Sequence, residues 1–431
     1  TKTDEELGTS VLVLSNGATV VLKPTNFKND EILLRAFSKG GHSLVKDADY
    51  YSAIHSSAII NQSGVGAFSA IDLGNMLKGK NTSVSPNIGG LSEGLSGSTI
   101  PKETETMLQL LYLYFTAARK DAAAFESFKT RQKQLYANVA SNPDIFFSGE
   151  VQKILTSNHP RGGKIPTPED FDKISLDRSF QIYKERFANA GDFTFIFTGS
   201  FNEETIRPLL EKYIGSLPGS PKKENFRDLG IRPPQGKVEK TINKGSEPKS
   251  TVNIVFMTPA VYNGNEAYAL KSLAELMDIK LVEQLREEKS GVYGVSAGGS
   301  MNRIPYGNVS FSISFPCAPE NADTLTKAAL DELKKIMQKG VSPEDLEKIK
   351  EQQKRKLEVD IKQNSFWANG LLEAYFYGTN PAELLKKQQQ IDKLTGKMMQ
   401  DVAKKYINLQ RYIRVTLKPE TEEAKKPLKG F

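Results

Sequence analysis

The feature that most constrains this chain is a proline-rich segment near its middle, at residues 216–236. The segment holds four prolines, a lysine pair and few large apolar residues: Pro218, Pro221, Lys222, Lys223, Pro233 and Pro234. Because proline lacks a backbone N–H and the segment has no apolar face to bury, neither helix nor sheet is expected there. A chain of 431 residues is also long for one hydrophobic core. We therefore predict a domain at 1–217, a linker at 218–236 and a second domain at 237–431.

The order of predicted elements repeats on either side of this linker. Apolar spacing and turn residues in the first half predict, in order, a strand, a helix, a pair of strands and two helices: 32–38, 50–62, 83–99, 101–118 and 121–138. The second half gives the same order at 250–258, 265–285, 294–302 with 307–315, 322–339 and 343–363. An internal repeat of about 200 residues is the simplest account. The chain is thus predicted to be two similar α+β domains.

Composition and charge exclude several classes of protein. Hydrophobic residues make up 38% of the chain, and no run approaches the ~20 apolar residues that a membrane span needs, so we expect no membrane association. The net charge of +7 comes from lysines and arginines interleaved with acidic residues, which gives nucleic-acid binding little support. Cys317 is the only cysteine, which excludes an internal disulfide and a thiolate metal cluster.

The stretch Leu285–Val295 carries the candidate site. Leucines and a methionine recur before it at helical spacing, and a glycine-rich extended run follows it, so a helix end is predicted to lead into a strand. The guanidinium of Arg286 and the phenol of Tyr293 could then converge on one peptide carbonyl or carboxylate. Alternatively, Arg286 caps its own helix end and Tyr293 packs at the start of the strand.

The sequence Leu-Arg-Glu-Glu-Lys-Ser-Gly-Val-Tyr at 285–293 resembles the Arg/Tyr motif in the C-terminal half of the pitrilysin (insulinase) family of zinc metallopeptidases. Residues 59–66, 92–98 and 101–107 are similar to the third domain of its bacterial, periplasmic members. Members have four similar domains, and this chain resembles the last two. The resemblance implies the metallopeptidase-like LuxS/pitrilysin fold, in which each domain is a mainly antiparallel sheet packed with helices.

The resemblance also implies a function for the chain. It would be the non-catalytic half of a zinc metalloendopeptidase, closing over peptide substrates together with a zinc-bearing N-terminal half in the same polypeptide or a separate subunit. Arg286 and Tyr293 would hold the substrate carbonyl near the zinc of that other half. Lys289 is a less certain neighbour of the substrate and is otherwise a solvated charge. A periplasmic location is expected by the same resemblance, with any export leader lying upstream of this sequence.

No zinc site is predicted in the chain itself. The family binds zinc through His-x-x-Glu-His plus a distant Glu. This chain has only His42, His55 and His159, and no two of them have that spacing. Cofactors are therefore expected only in the partner half, and the chain alone is expected to be inactive. The alternative is a binding or scaffold subunit that uses the same fold without proteolysis.

Overall fold

The computed structural model describes residues 1–288 and 294–420 and divides into two compact units. The first unit joins three segments: Thr1–Leu135, Pro166–Leu229 and Arg355–Gln389. The second joins Tyr136–Ile165, Gly230–Lys354 and the described residues from Gln390 onward. Each unit therefore includes one segment from the sequence half that otherwise builds the other unit.

The first unit contains a seven-stranded sheet. Its strands are β1 (Lys2–Asp4), β2 (Thr9–Val13), β3 (Thr19–Pro24), β4 (Ile32–Lys39), β5 (Ser83–Ile88), β6 (Ser92–Thr99) and β7 (Thr194–Gly199). They lie in the order β1-β2-β3-β7-β4-β6-β5, and only β3 and β7 run parallel. The helices in this half of the sequence are α1 (Tyr50–Ser63), α2 (Ala70–Met76), α3 (Thr104–Thr116), α4 (Ala122–Ala137), α5 (Pro143–Leu155), α6 (Leu176–Arg186) and α7 (Glu203–Tyr213).

Side chains alternate between the two faces of this sheet, as the period of a strand requires. Val20 and Phe195 belong to the main core, where they are buried with residues of α1, α3, α6 and α7. Val21 and Ile196 belong to a second cluster on the opposite face. Both faces of the central strands are therefore covered, which accounts for the apolar run at 195–197.

The second unit contains a five-stranded sheet. Its strands are β8 (Val238–Asn243), β9 (Ser250–Pro259), β10 (Ser296–Asn302), β11 (Asn308–Cys317) and β12 (Ile413–Lys418). The helices in this half of the sequence are α8 (Gly264–Glu288), α9 (Ala322–Lys339), α10 (Pro343–Asp360), α11 (Asn364–Tyr377), α12 (Lys387–Lys393) and α13 (Gly396–Tyr406). None of the described helices of the chain is apolar over a length that would cross a lipid bilayer.

The two sheets share one topology. The order β3-β7-β4-β6-β5 in the first matches β8-β12-β9-β11-β10 in the second. In each of these five-strand orders, the first two strands run parallel, namely β3 with β7 and β8 with β12. The remaining neighbours in each order are antiparallel. The prediction of two similar α+β domains with mainly antiparallel sheets is thereby confirmed.

Equivalent helices of the two repeats are exchanged between the units. Helix α11, from the second half of the sequence, packs on the first sheet, where Trp367 and Leu371 bury Val21 and Ile196. Helix α5, from the first half, packs on the second sheet, where Phe147 and Val151 join a cluster with Ile242, Ile413, Val415 and Leu417. In each repeat this helix is the third after the paired strands. The exchange explains why each compact unit is discontinuous in sequence.

The sequence prediction described these exchanges incompletely. Apolar spacing also predicts a helix at 146–156, close to α5, and one helix at 166–188, where the structure has a 3-10 turn at Pro168–Lys173 followed by α6. It did not predict α11, α13, β8 or β12. The division into a domain at 1–217, a linker at 218–236 and a second domain at 237–431 stays a prediction.

The proline-rich segment contains neither helix nor strand, and its first part is bound to the first unit. The backbone N–H of Glu224 donates to Asp192 Oδ2 at 2.9 Å, and its carboxylate pairs with Arg186 at 2.8 Å. The backbone N–H of Arg227 donates to Ser43 Oγ at 2.9 Å. Up to Leu229, the segment is a fixed strap along the first unit rather than a free tether.

Candidate functional site

Arg286 lies near the end of α8, a helix of 25 residues in the second unit. The helix begins where the side chain of Asn263 accepts hydrogen bonds from the backbone N–H groups of Asn265 and Glu266, at 3.0 and 3.1 Å. One apolar stripe is buried in the core of the unit, formed by Leu270, Leu273, Ala274, Met277 and Leu281. Arg286 follows Leu281 by five residues, and its backbone is helical.

Helix α8 packs directly against β10, the strand at one edge of the second sheet. The backbone N–H of Ala297 donates to Asp278 Oδ1 at 2.5 Å. A Cβ atom at Gly299 would lie 2.5 Å from the carbonyl oxygen of Leu270, a distance that no side chain tolerates. Glycine at 299 therefore allows the helix to approach the strand, and the two elements flank the stretch that carries the candidate motif.

The predicted helix-to-strand transition agrees with the described residues, since α8 extends to Glu288 and β10 starts at Ser296. Tyr293 and Lys289 lie outside the described residues, and for Arg286 only the backbone is described. The convergence of Arg286 and Tyr293 on a substrate carbonyl stays a prediction. So does the alternative, in which the two residues serve as a helix cap and a packing residue.

A polar seam holds the other side of α8 against α10. Tyr268 Oη donates to Gln353 Oε1 at 2.5 Å, and Gln353 Nε2 donates to Ser272 Oγ at 2.9 Å and Glu275 Oε2 at 2.6 Å. Burial raises the pKa of the Tyr268 phenol, which keeps it in its donor form. The seam gives α8 a second set of fixed contacts. Its residues were not predicted from the sequence, because a charged, polar helix such as α10 is typical of a solvated face.

The histidines of the first unit do not fit a zinc site. His55 lies on α1, and its ring packs between Phe128 and Phe171 with centroids 5.7 and 5.5 Å away. Burial lowers the pKa of His55 and favours its neutral form. The nearest histidine in sequence, His42, lies on the 3-10 turn Gly41–Leu44. The helix face around His55 thus offers aromatic rings where a zinc ion needs further nitrogen or carboxylate ligands.

His159 lies in the second unit, where its Nδ1 accepts a hydrogen bond from the backbone N–H of Arg161 at 3.1 Å. Across residues 1–288 and 294–420, no group of three or more His, Cys, Asp or Glu side chains is placed to hold a metal ion. The expectation that the whole chain binds no zinc stays a prediction.

A buried carboxylate in the first unit was also missed by the sequence prediction. Glu93 on β6 accepts a hydrogen bond from the backbone N–H of Gly41 at 2.7 Å, and Arg186 Nη1 lies 3.9 Å from its other oxygen. Burial raises the pKa of Glu93 to about 7, against the opposing effects of the Gly41 hydrogen bond and of Arg186. Arg186 also pairs with Glu224, so this cluster anchors the strap. A single charged residue in a strand of otherwise uncharged, mostly small residues was the available signal.

Comparison with known proteins finds a matching family model and several similar sequences. A family model described as the peptidase M16 inactive domain matches residues 173–353. The Arabidopsis thaliana zinc protease PQQL-like is 24% identical over 394 residues, covering 86% of this chain and 38% of that protein. The probable zinc protease PqqL of Escherichia coli K12 is 22% identical over 406 residues, covering 92% and 42%. The chain thus spans about two-fifths of the length of these curated relatives.

Solved structures share the fold at low sequence identity. The crystal structure of the periplasmic protease PqqL from Escherichia coli matches with a TM-score of 0.83 at 21% identity, covering 96% of this chain and 46% of that one. A mutant of the ferredoxin protease FusC, in complex with Arabidopsis ferredoxin, matches with a TM-score of 0.84 at 19% identity, covering 97% and 46%. These matches and the two-domain α+β fold agree with the resemblance to the pitrilysin, or M16, peptidases, and residues 173–353 match the inactive domain of that family.

Proposed function

We propose that this chain is the non-catalytic C-terminal half of a zinc metalloendopeptidase. In this proposal it encloses peptide substrates together with a zinc-bearing N-terminal half and supplies Arg286 and Tyr293 to the shared active site. The observation that carries the proposal is the match to the inactive domain of a peptidase family, in a chain whose sequence lacks His-x-x-Glu-His. Relatives described as zinc proteases are more than twice as long, which leaves room for a zinc-bearing half.

The chemical role proposed for Arg286 and Tyr293 is stabilisation of negative charge. Hydrolysis of a peptide bond puts charge on the carbonyl oxygen in the transition state, and donors already directed at that oxygen stabilise it. A guanidinium supplies a fixed fork of N–H donors, and a phenol supplies one O–H donor. The packing of α8 against β10 and α10 supports this role, since it gives the backbone at Arg286 a fixed frame.

The expected substrates are polypeptides, and the expected compartment is the periplasm. Support comes from the structural neighbours, one of which is described as a periplasmic protease, while another was crystallised with ferredoxin. We propose no nucleic-acid partner, because basic residues are interleaved with acidic ones along the chain.

The test is reconstitution with the proposed other half. DNA upstream of the coding sequence is searched for a segment that encodes His-x-x-Glu-His, and the two halves are produced together and separately. We expect neither half alone to cleave an unfolded polypeptide, and the pair to cleave it in a chelator-sensitive way. If no such segment exists and the chain binds unfolded polypeptide without cleavage in any combination, the scaffold function replaces this one.

Substitution of the site residues sharpens the test. In the reconstituted enzyme, Arg286→Ala and Tyr293→Phe should lower kcat by roughly 100- to 1000-fold, as loss of an oxyanion donor does in other proteases. KM should change little, because these donors act mainly in the transition state. Arg286→Lys is the matched control for charge without the planar fork. Kinetics within twofold of wild type, together with a lowered Tm, would reduce both residues to packing roles.

A further inference from the structure

We propose that Asp278 is a positioning residue, which fixes the C-terminal part of α8, and with it Arg286, against strand β10. This inference rests on the proposed function, because it concerns how the chain presents Arg286. It assigns a role to a residue outside the Arg286–Tyr293 motif.

The first observation is the hydrogen bond between a helix carboxylate and a strand backbone. Asp278 Oδ1 accepts from the backbone N–H of Ala297, 19 residues further along the chain. Among the described strands, β10 pairs with β11 alone, so this N–H has no neighbouring strand to donate to on the other side. Asp278 therefore supplies the acceptor that an adjoining strand would otherwise provide.

The second observation is that the surroundings of the Asp278 carboxylate disfavour its ionised form. Burial raises the pKa of Asp278, and the nearby charge of Glu275 raises it further, while the hydrogen bond from Ala297 opposes both. The other side of α8 offers Glu275 a donor in Gln353 and gives Lys280 a partner in Asp345 at 2.7 Å. Asp278 is instead directed at the strand, where its contact is to the backbone.

The third observation is a second fixed point between the same two elements. The backbone of Gly299 approaches the carbonyl oxygen of Leu270 so closely that a Cβ atom would clash with it. Leu270 and Asp278 lie eight residues apart on α8, which is about 12 Å along a helix axis. Two contacts at that separation prevent the helix from sliding or rotating on the strand. Arg286 begins another eight residues beyond, so its position depends most on the nearer contact, at Asp278.

The bond can be broken at the acceptor. Asp278→Ala removes the acceptor oxygen, and Asp278→Leu removes it while keeping a side chain of similar size. Asp278→Asn keeps an acceptor oxygen of the same shape. Lys280→Met is the matched control, because it removes a polar contact of α8 only two residues away, on the side of α10.

In the reconstituted protease, Asp278→Ala and Asp278→Leu should each lower kcat by about tenfold or more, with KM within about threefold. Asp278→Asn should restore kcat to within about threefold of wild type. Lys280→Met should lower Tm with kcat within twofold.

Amide hydrogen exchange in the chain alone gives a readout that does not depend on activity. The Ala297 amide should exchange more than tenfold faster in Asp278→Ala than in wild type, and at the wild-type rate in Lys280→Met. If Asp278→Ala fails to fold, Asp278→Leu and Asp278→Asn still decide the question.

Two results would overturn the inference while leaving the proposed function intact. One is a drop in kcat for Arg286→Ala with none for Asp278→Ala, and the other is an equal drop in kcat for Asp278→Ala and Lys280→Met. If Arg286→Ala has no effect on kcat, the proposed function fails and this inference fails with it. Fast Ala297 exchange would then show only that the bond exists.

Discussion

The two sheets have the same strand order, yet the helices that follow β4 and β9 end differently. Helix α1 has 14 residues and stops at Gly64, whose φ of 89° and close approach to the carbonyl of Phe68 suit only glycine. Helix α8 has 25 residues and continues to Glu288. In the first repeat, the shorter helix is followed by α2. In the second repeat, a stretch of similar length extends α8 and includes Arg286. The common core thus sets the fold, and the extension of one helix distinguishes the repeat that carries the candidate site.

The exchanged helices are the strongest test of the idea that the repeats depend on each other. A fragment of residues 1–235 contains every strand of the first sheet but lacks α11. It would expose the face that Trp367 and Leu371 cover, and burial of two such side chains stabilises by roughly 3–6 kcal/mol. Since domains are stable by only about 5–15 kcal/mol, we expect the fragment not to fold cooperatively. Urea unfolding followed by circular dichroism measures this.

A peptide spanning 355–389 should restore cooperative folding when added to the fragment. The same peptide with Leu371→Asp is the matched control and should fail, because it places a charge at a fully buried position. Cooperative unfolding of the fragment alone, unchanged by either peptide, would show that the first unit does not need the exchange.

The exchange also shows where sequence reasoning succeeded and where it could not. The Asn16–Gly17 hairpin and the strand that contains the apolar run at 195–197 were predictable because turn chemistry and apolar pattern are local. Strand β8 was missed because it is an edge strand with only Ile242 fully buried, so its alternation is faint. The partner of α11 was not predictable at all, since an apolar face shows that a helix is buried but not which sheet covers it.

The candidate site, like the fold, was only partly predictable from the sequence. The motif at 285–293 was visible in the sequence because its residue types and spacing resemble a known family. The contacts of Asp278 with Ala297, and of Gly299 with Leu270, were not visible, since each joins residues on different elements. The pairing of a helix carboxylate with an edge-strand amide depends on packing that no local pattern records.

Glu93 offers a test of a second difference between the repeats. The first sheet buries this carboxylate, whereas the described strands of the second sheet bury no acidic side chain. Because the folded-state pKa of Glu93 is about 7, above its ordinary value of 4.5, the fold favours the protonated form. Its contribution to stability is complete below pH 4.5 and is lost as the pH rises to about 7. The loss amounts to up to about 3 kcal/mol.

Glu93→Gln keeps the neutral form at every pH, so relative to wild type it should gain stability between pH 5 and pH 8. Urea unfolding at both values measures the change, and Glu126→Gln, at an exposed position, is the matched control. An identical effect of Glu93→Gln at pH 5 and pH 8 would contradict the raised pKa. That result would mean that Glu93 is ionised in the folded protein and that Arg186 pairs with the carboxylates of both Glu93 and Glu224.

His55 on helix α1 provides the smallest and most local test of the difference between the repeats. Helix α8 has no histidine, whereas α1 places His55 between the rings of Phe128 and Phe171. Burial lowers the pKa of His55 below 6.5, so the fold favours the neutral ring. That contribution is complete above pH 6.5 and is lost as the pH falls through 6.5 toward the lower folded-state value.

His55→Leu should therefore lose less stability than wild type when the pH falls from 7.5 to 5. Urea unfolding at both pH values measures this, and His159→Leu is the control for a histidine outside this aromatic site. Equal acid sensitivity of wild type and His55→Leu would mean that the ring can be protonated in place, and the aromatic site would then no longer argue against ligand chemistry on α1.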